Sequence, residues 1–304
     1  MLDLLTWLVG AVLAVTAVQT TTMYAMWLYE RRNFPELAQL PGDDEPLSPM
    51  RAGLAMVLEW LAISLLAISY PLRLLHDASP VRTRVHGETP IILVHGYGGN
   101  AANFLTLQWR LKQRGWANVY AVSYTPPTIN ARRLAQQVVD HVERILAATG
   151  AEKAHLVCHS MGGVLTRYAL HHLELAGKLD RVITLGSPHG GSRIAAVTPA
   201  RGAAAQMRYQ SPFIKELSAL DPTPGGAQFY SIYSNLDNFV LPVSSSVLGG
   251  NTKNIHVPYL GHCSLLYSPT VLAHIECCLT DNPTADAAQP EAPATTQPSD
   301  NAAT

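Results

Sequence analysis

Charged side chains are scarce in this chain of 304 residues. Asp, Glu, Lys and Arg together make up 14% of it, the formal net charge is −1, and no block of Lys or Arg occurs. Proteins that bind nucleic acid neutralise phosphates with clustered basic residues, so the composition argues against a nucleic-acid partner. One α/β domain of about 200 residues with appendages accounts for the length.

Cysteine is also rare, and its spacing excludes two classes of small scaffold. The chain has four cysteines, which show neither the paired spacing of a zinc site nor the density of a disulfide framework. Cys263 could bridge to Cys277 or Cys278 in an oxidising compartment, whereas Cys158 stands alone. Unpaired, buried thiols are the expected default.

The chain contains a long apolar run near its N-terminus. Residues 4–29 carry no charge, and this run exceeds the roughly 20 residues that span a bilayer. Trp7 near one end and Trp27 near the other lie where interfacial aromatic residues belong. A cleaved signal peptide begins with basic residues, but here Asp3 stands near the start. We therefore predict a retained transmembrane anchor helix over residues 1–30.

A polar loop at 31–52 separates this run from a second one, a predicted hydrophobic helix at 53–76 that contains Glu59. A lone carboxylate is costly inside a bilayer, so three arrangements are open: a second span, a helix on the membrane surface, or a helix packed on the soluble domain. If both runs cross, the basic loop is cytoplasmic and the main domain lies on the far side, whereas a single crossing leaves that domain in the cytoplasm. The basic residues of the loop are Arg31, Arg32 and Arg51.

Strand and helix patterns alternate over residues 82–279. Short apolar runs are typical of buried parallel strands, and a helix with one apolar face ends near Gly150. Such alternation predicts an α/β fold with a mostly parallel central sheet flanked by helices. Residues 280–304 are rich in Ala, Pro, Thr and Gln, which predicts a disordered tail. The predicted strands are 91–94, 119–124, 155–157, 181–185, 229–233 and 254–259.

The most informative stretch surrounds Ser160. An apolar run at 154–158 leads into the segment His-Ser-Met-Gly-Gly at 159–163 and then into a helix-competent segment. This pattern predicts a strand, a sharp turn and a helix, with the Ser160 hydroxyl exposed at the apex beside the helix N-terminus. Cys158 stands where the pattern G-x-S-x-G has its first glycine, and it is small enough to be tolerated. An ordinary turn with a capping serine is the alternative.

Candidates for an acid and a base follow two later strands. Asp237 and His262 complete the chain order Ser, Asp, His, and each of the three residues follows a predicted strand. Working residues gather at the carboxyl ends of the strands in such sheets. A serine hydroxyl needs an imidazole to take its proton, and the imidazole needs a carboxylate to fix its tautomer and stabilise its charged form. His189 is the closest rival to His262.

These motifs together resemble the lipases and esterases of the α/β-hydrolase superfamily, especially bacterial true lipases of the triacylglycerol lipase type. The resemblance implies an α/β-hydrolase fold with Ser160 as nucleophile, His262 as base and Asp237 as its partner. It also implies an oxyanion hole formed by the backbone N–H groups of Tyr97 and Met161. The residues of the supporting loops are His95, Gly96, His159 and Gly162. The segments that carry the resemblance are 95–99, 159–163, 185–192, 234–242 and 261–262.

The resemblance also implies a lid at about residues 193–220, after the Gly-Ser-Pro-His-Gly-Gly-Ser segment. Apolar side chains are scattered over this stretch, and an ordinary packed insertion is the alternative. Some lipases of this type bind calcium, but no cluster of acidic oxygens occurs here to hold it, so we expect neither a metal nor a cofactor. For a bacterial protein with two spans, the catalytic domain lies on the periplasmic side of the inner membrane.

The sequence therefore predicts a membrane-anchored serine hydrolase that cleaves the carboxylic ester bonds of lipids, phospholipids among them, through an acyl-enzyme. Acyl-chain length, head group and oligomeric state do not follow from these motifs. Two alternatives stand beside this prediction. One is an acyltransferase with the same triad, and the other is a non-catalytic hydrolase-like module that binds lipid or a protein partner. The complete set of motifs argues against the second alternative.

Overall fold

The computed structural model describes residues 2–38, 40, 46–73, 83–198 and 201–280. Apart from Thr280, the predicted disordered tail lies outside these residues. A sheet of six strands forms the centre of the structure, in the order β2-β1-β3-β4-β5-β6, and every neighbouring pair is parallel. The predicted fold class is confirmed. The strands are β1 (Ile91–Val94), β2 (Val119–Val122), β3 (Ala154–His159), β4 (Leu179–Leu185), β5 (Gln228–Tyr233) and β6 (Lys253–His256).

Helices cover both faces of the sheet, which explains why its central strands are continuously apolar. Ile92 and Val94 of β1 point into a cluster with helices α5 (Ala131–Thr149) and α6 (Met161–His172). Ile91 and Leu93 of the same strand point to the other face, where α4 (Leu105–Gln113) and α9 (Pro269–Thr280) lie. The alternation along β1 thus places two separate apolar clusters on either side of one sheet.

Two long apolar helices precede this domain. Helix α1 (Leu2–Asn33) continues three residues past the predicted anchor, and a short helix α2 (Pro35–Ala38) follows it. Helix α3 (Pro49–Ser69) begins with proline at its first position, where the missing N–H costs nothing. We call α1, α2 and α3 the N-terminal hairpin.

The two long helices of the hairpin pack against each other through small polar residues. The hydroxyls of Thr16 and Ser64 lie 2.7 Å apart, and the Trp60 indole N–H donates to the carbonyl oxygen of Leu13 at 3.0 Å. The hairpin also packs on the domain, where the Trp27 indole N–H donates to the Asn235 carbonyl oxygen at 3.1 Å. The second apolar run contacts the domain as well, because Glu59 of α3 accepts the backbone N–H groups of Cys263 and Ser264.

The segment predicted as a lid is folded into the core. It contains a 3-10 turn (Arg193–Val197) and two short helices, α7 (Gly202–Gln206) and α8 (Pro212–Ser218). Phe213, Ile214 and Leu217 of α8 are buried in the same apolar cluster as α5 and α6. Part of the predicted lid segment therefore packs on the core of the domain through α8.

Candidate active site

Ser160 lies at the apex of the predicted sharp turn between β3 and α6. Its φ of 56° and ψ of −127° are uncommon for any residue but glycine, and its backbone N–H donates to the Leu185 carbonyl oxygen at 2.9 Å. A Cβ at Gly162 would lie 2.7 Å from the carbonyl oxygen of Val94, so only glycine allows α6 to approach β1 this closely. Ser160 is therefore part of neither β3 nor α6, and it lies in the turn between them.

Cys158 occupies the place of the missing glycine as a packing residue. Its side chain is fully buried, and its sulfur lies 3.3 Å from the Thr166 hydroxyl. Burial raises the pKa of the Cys158 thiol to about 12, which keeps the sulfur protonated and unreactive. Cys158 and Cys263 are both free, buried thiols.

Asp237 and His262 form a buried pair. The Oδ2 atom of Asp237 lies 2.8 Å from Nδ1 of His262, while its Oδ1 accepts the backbone N–H groups of Phe239 and Val240 at 2.9 Å each. Burial disfavours the charged imidazole, but the charges of Asp237 and Glu59 outweigh this effect and raise the pKa of His262. The pair therefore has the tautomer and the electrostatics of a base held by a carboxylate.

Two glycines show how closely the serine, the acid and the base converge. A Cβ at Gly186 would lie 2.7 Å from Oδ2 of Asp237 and 3.1 Å from Nδ1 of His262. Gly186 directly follows Leu185, the residue that accepts the Ser160 N–H. A Cβ at Gly96 would lie 3.2 Å from the Ser160 hydroxyl. The structure thus brings all three predicted residues to the carboxyl ends of the strands.

The loop after β1 packs directly on the serine and carries Tyr97, one of the two predicted oxyanion donors. His95 shapes this loop, because its Nδ1 contacts the Gly96 carbonyl oxygen at 2.7 Å and its Nε2 accepts the Tyr124 N–H at 3.2 Å. The other predicted donor, Met161, is the first residue of α6, where a backbone N–H has no partner within the helix. Both predicted donors therefore lie on segments next to Ser160.

His159 supports the base rather than replacing it. Its Nε2 lies 3.0 Å from the carbonyl oxygen of His262, and the two rings are 4.6 Å apart between centroids. Burial lowers the pKa of His159 well below its usual value, and the charge of His262 adds to the effect. A neutral imidazole at this place donates one N–H to the backbone of the His262 loop.

The rival base, His189, lies in a different environment. Its Nε2 contacts the hydroxyl of Thr184 at 3.3 Å, and it lines a cavity of about 310 Å³ together with the buried Arg167. Burial lowers its pKa well below the usual value, and the Arg167 charge lowers it further. The structure therefore pairs His262, and not His189, with the carboxylate.

Side chains from the Asp237 loop hold the backbone around His262. The N–H of Tyr259 donates to Oδ1 of Asn235 at 3.1 Å, and the N–H of His262 donates to Oδ1 of Asn238 at 3.2 Å. Neither amide was singled out from the sequence, although both belong to the polar run around Asp237 that was recognised there. The segment after β5 therefore supplies the carboxylate and also places the loop that carries its partner.

A second cavity, of about 290 Å³, opens beside the loop after β1. Its walls come from that loop, from the end of β2 and from the end of the N-terminal hairpin, where Tyr70 and Arg73 lie. Among the residues that the structure describes, no group of three or more His, Cys, Asp or Glu side chains is placed to hold a metal ion.

Comparisons with known proteins identify the family of the chain. The profile of the family described as "Lipase (class 2)" matches residues 88–262. A triacylglycerol lipase of Pseudarthrobacter phenanthrenivorans is 37% identical over 117 residues, which are 35% of this chain and 35% of that protein. A triacylglycerol lipase of Burkholderia plantarii is also 37% identical over 117 residues, 35% of this chain and 31% of that protein. The match thus spans about a third of the length of these relatives.

Solved structures show the same fold. The mature lipase BlEst2 of Bacillus licheniformis superposes with a TM-score of 0.52 at 18% identity, covering 62% of this chain and 90% of that one. Lipase B of Aspergillus fumigatus superposes with a TM-score of 0.60 at 15% identity, covering 87% of this chain and 83% of that one. The expected α/β-hydrolase fold is confirmed.

Proposed function

The chain belongs to the class 2 lipase family, and from that premise we propose that it is a membrane-associated serine hydrolase of lipid carboxylic esters. The observation that carries this proposal is the Asp237–His262 pair, which meets the Ser160 turn at the carboxyl edge of the sheet. The relatives named triacylglycerol lipases make glycerides the first substrate class to test, with phospholipids as the second.

The proposed reaction is an acyl transfer in two steps. The Ser160 hydroxyl attacks the ester carbonyl carbon while Nε2 of His262 takes its proton, and Asp237 stabilises the imidazolium through Nδ1. The negative oxygen of the tetrahedral intermediate accepts the backbone N–H groups of Tyr97 and Met161. The imidazolium then protonates the leaving alcohol, and water attacks the acyl-enzyme with His262 as base again. Transfer of the acyl group to another alcohol is the same reaction with a different acceptor.

The exposed side of the N-terminal hairpin supports the proposed association with lipid. Its two long helices meet the length and hydropathy of membrane spans. One side of α3 carries exposed apolar residues that recur every three or four positions, and an apolar patch of this kind is typical of a binding surface. These residues are Leu54, Leu58, Leu61, Leu65 and Ile68.

We propose that the hairpin lies along the membrane surface and does not cross it twice. Glu59, at the middle of α3, is fully buried against the domain, so a spanning α3 would draw the catalytic loop into the hydrocarbon. In the competing arrangement, residues 1–30 form the predicted anchor, both helices cross the membrane and the catalytic domain lies on the periplasmic side. Protease digestion of sealed inner-membrane vesicles of each orientation distinguishes the two sides of the membrane for the catalytic domain.

The test of catalysis is labelling of the detergent-solubilised chain by a fluorophosphonate probe. We expect the wild type to be labelled and Ser160→Ala to remain unlabelled, since the probe reacts with an activated serine. Ser218→Ala removes an exposed hydroxyl from α8 and should be labelled like the wild type. Release of fatty acid from emulsified triacylglycerol or from phospholipid vesicles then identifies the substrate class. A folded wild type that stays unlabelled in detergent and with vesicles present supports the binding-module alternative instead.

A further inference from the structure

Glu59 is the only charged residue of the chain between Arg51 and Arg73. It is fully buried, and a buried carboxylate is costly unless its oxygens have partners. Each oxygen has a main-chain donor, because Oε1 accepts the N–H of Cys263 at 2.9 Å and Oε2 accepts the N–H of Ser264 at 2.8 Å. Burial raises the pKa of Glu59, while the two backbone N–H bonds and the charge of His262 oppose this shift by stabilising the ionised carboxylate.

The two N–H groups that bond to Glu59 belong to the residues that directly follow His262 in the chain. Gly261, on the other side of His262, also contacts Glu59, since a Cβ there would lie 2.4 Å from its carboxyl carbon. The carboxylate therefore packs against the backbone on both sides of the base. Because Glu59 lies on α3, the N-terminal hairpin is joined to the active-site loop by a buried polar contact and not only by apolar packing.

Two further backbone donors of this loop bond to side chains of the Asp237 segment. Asn238 accepts the N–H of His262, and Ser234 accepts the N–H of Leu260. The loop is thus held between the carboxylate of α3 on one side and the segment after β5 on the other. Loss of the Glu59 acceptors leaves two buried N–H groups unpaired, and the loop must shift to satisfy them.

On the basis of the proposed function, we infer that Glu59 is a positioning residue for the base, through which the N-terminal hairpin sets the place and the charge of His262. The family match begins at residue 88, beyond α3, so it assigns no role to Glu59. The inference predicts that the domain is catalytically competent only while α3 is docked on it.

The negative charge of Glu59 also affects the protonation of His262, and the direction of this effect can be stated. His262 faces Asp237, Glu59 and His159, while Tyr24, Cys263 and Tyr267 lie around Glu59 itself. Both carboxylates favour the imidazolium and raise the pKa of His262. The base must be neutral to accept a proton, so labelling of Ser160 should slow as the pH falls through this raised pKa. Removing the charge of Glu59 lowers the pKa and moves that decline to lower pH.

The experiment compares the full-length wild type with Glu59→Gln in detergent. Glutamine keeps the size of the side chain, but its NH₂ group would face a backbone N–H and cannot accept a hydrogen bond from it. We expect the rate constant of fluorophosphonate labelling to fall about 10- to 100-fold, since a shift of about 1 Å at a catalytic group costs on the order of 100-fold. We also expect the acid limb of the pH profile to move to lower pH.

A matched control separates this role from a structural one. Glu30 is another buried carboxylate of the hairpin, and it pairs with Arg193 at 3.5 Å, away from the His262 loop. Glu30→Gln should lower the melting temperature but leave the acid limb where the wild type has it. If Glu59→Gln fails to fold, Glu59→Asp provides the second test, because it keeps the charge. Its labelling should be slower with the acid limb nearly unchanged.

Two outcomes contradict the inference in different ways. A folded Glu59→Gln with the wild-type rate and pH profile overturns the role of Glu59 alone, as does wild-type labelling in a folded Glu59→Asp when the glutamine variant is unfolded. A wild type whose Ser160 is not labelled at any pH overturns the proposed function itself.

Discussion

At the scale of single residues, the serine turn depends on the absence of a side chain at Gly162. The atoms that a Cβ there would meet are the carbonyl oxygens of Val94, at 2.7 Å, and His95, at 2.8 Å. Both belong to the backbone of a buried strand and the loop after it, which cannot move aside as the end of a flexible side chain can.

We expect Gly162→Ala to lower the labelling rate of Ser160 by more than about 10-fold, because the added methyl group separates α6 from β1 and displaces the serine. The variant should also melt at a lower temperature, although alanine is the better helix former. Gly53→Ala is the control, since its Cβ meets nothing within 4 Å on an exposed face of α3. That variant should gain about 0.5–1 kcal/mol and be labelled normally. Normal labelling of Gly162→Ala would contradict the tight turn.

Some residues of the candidate site can be predicted from the sequence, and others cannot. Ser160, Asp237 and His262 could be proposed because each follows a predicted strand, and strand ends meet at one edge of a parallel sheet. Glu59 was noticed as a lone carboxylate in an apolar run, but its partners lie 204 and 205 residues further along the chain. No local pattern specifies a contact at that separation, so its role required the structure.

At the scale of elements, the existence of the strands followed from their apolar runs, and their ends did not. The second strand was predicted to reach Tyr124 but ends at Val122, because the Tyr124 N–H donates to His95 instead of a neighbouring strand. The last strand was predicted to reach Tyr259 and ends at His256. Tyr259 has a φ of 60°, which an extended strand does not adopt. In both cases tertiary contacts of the site decide where the strand stops.

The insertion at 193–220 gives a prediction at the same scale. Phe213 is 4% exposed in the main core, and truncation of a packed phenylalanine typically costs about 3–5 kcal/mol. We expect Phe213→Ala to lower the free energy of unfolding by that amount in denaturant titrations. Val197→Ala, at a side chain that is 64% exposed, should change it by less than about 0.5 kcal/mol. A small effect at Phe213 would favour a mobile lid over a packed insertion.

At the scale of the whole molecule, the hairpin joins the proposed lipid-binding surface to the loop that carries His262. The buried side of α3 holds Glu59 against the backbone beside His262, while its opposite side is apolar and exposed. One helix therefore faces both the proposed membrane and the proposed base. This arrangement suits an enzyme whose substrate lies in a lipid surface.

We expect the double variant Leu61→Glu, Leu65→Glu to weaken binding to vesicles of phosphatidylethanolamine and phosphatidylglycerol by about 100-fold or more. Full burial of an exposed leucine contributes about 1.5–3 kcal/mol, and roughly half of this applies to each of these side chains because both are 47% exposed; the two added carboxylates oppose insertion further. Flotation of vesicles measures the bound fraction, and probe labelling in detergent should be unchanged. Val85→Glu adds a charge at an exposed apolar residue before β1 and should bind like the wild type. Equal binding by the double variant would show that α3 does not face the lipid.

The separation between Glu59 and its partners also sets an order of events during biosynthesis. Cys263 leaves the ribosome 204 residues after Glu59, which is about 10–40 s later at about 5–20 residues per second. Throughout that interval the Glu59 carboxylate lacks the two backbone donors that it has in the folded protein. The contact between α3 and the His262 loop therefore forms late, when the emerging C-terminal segment reaches the helices made first.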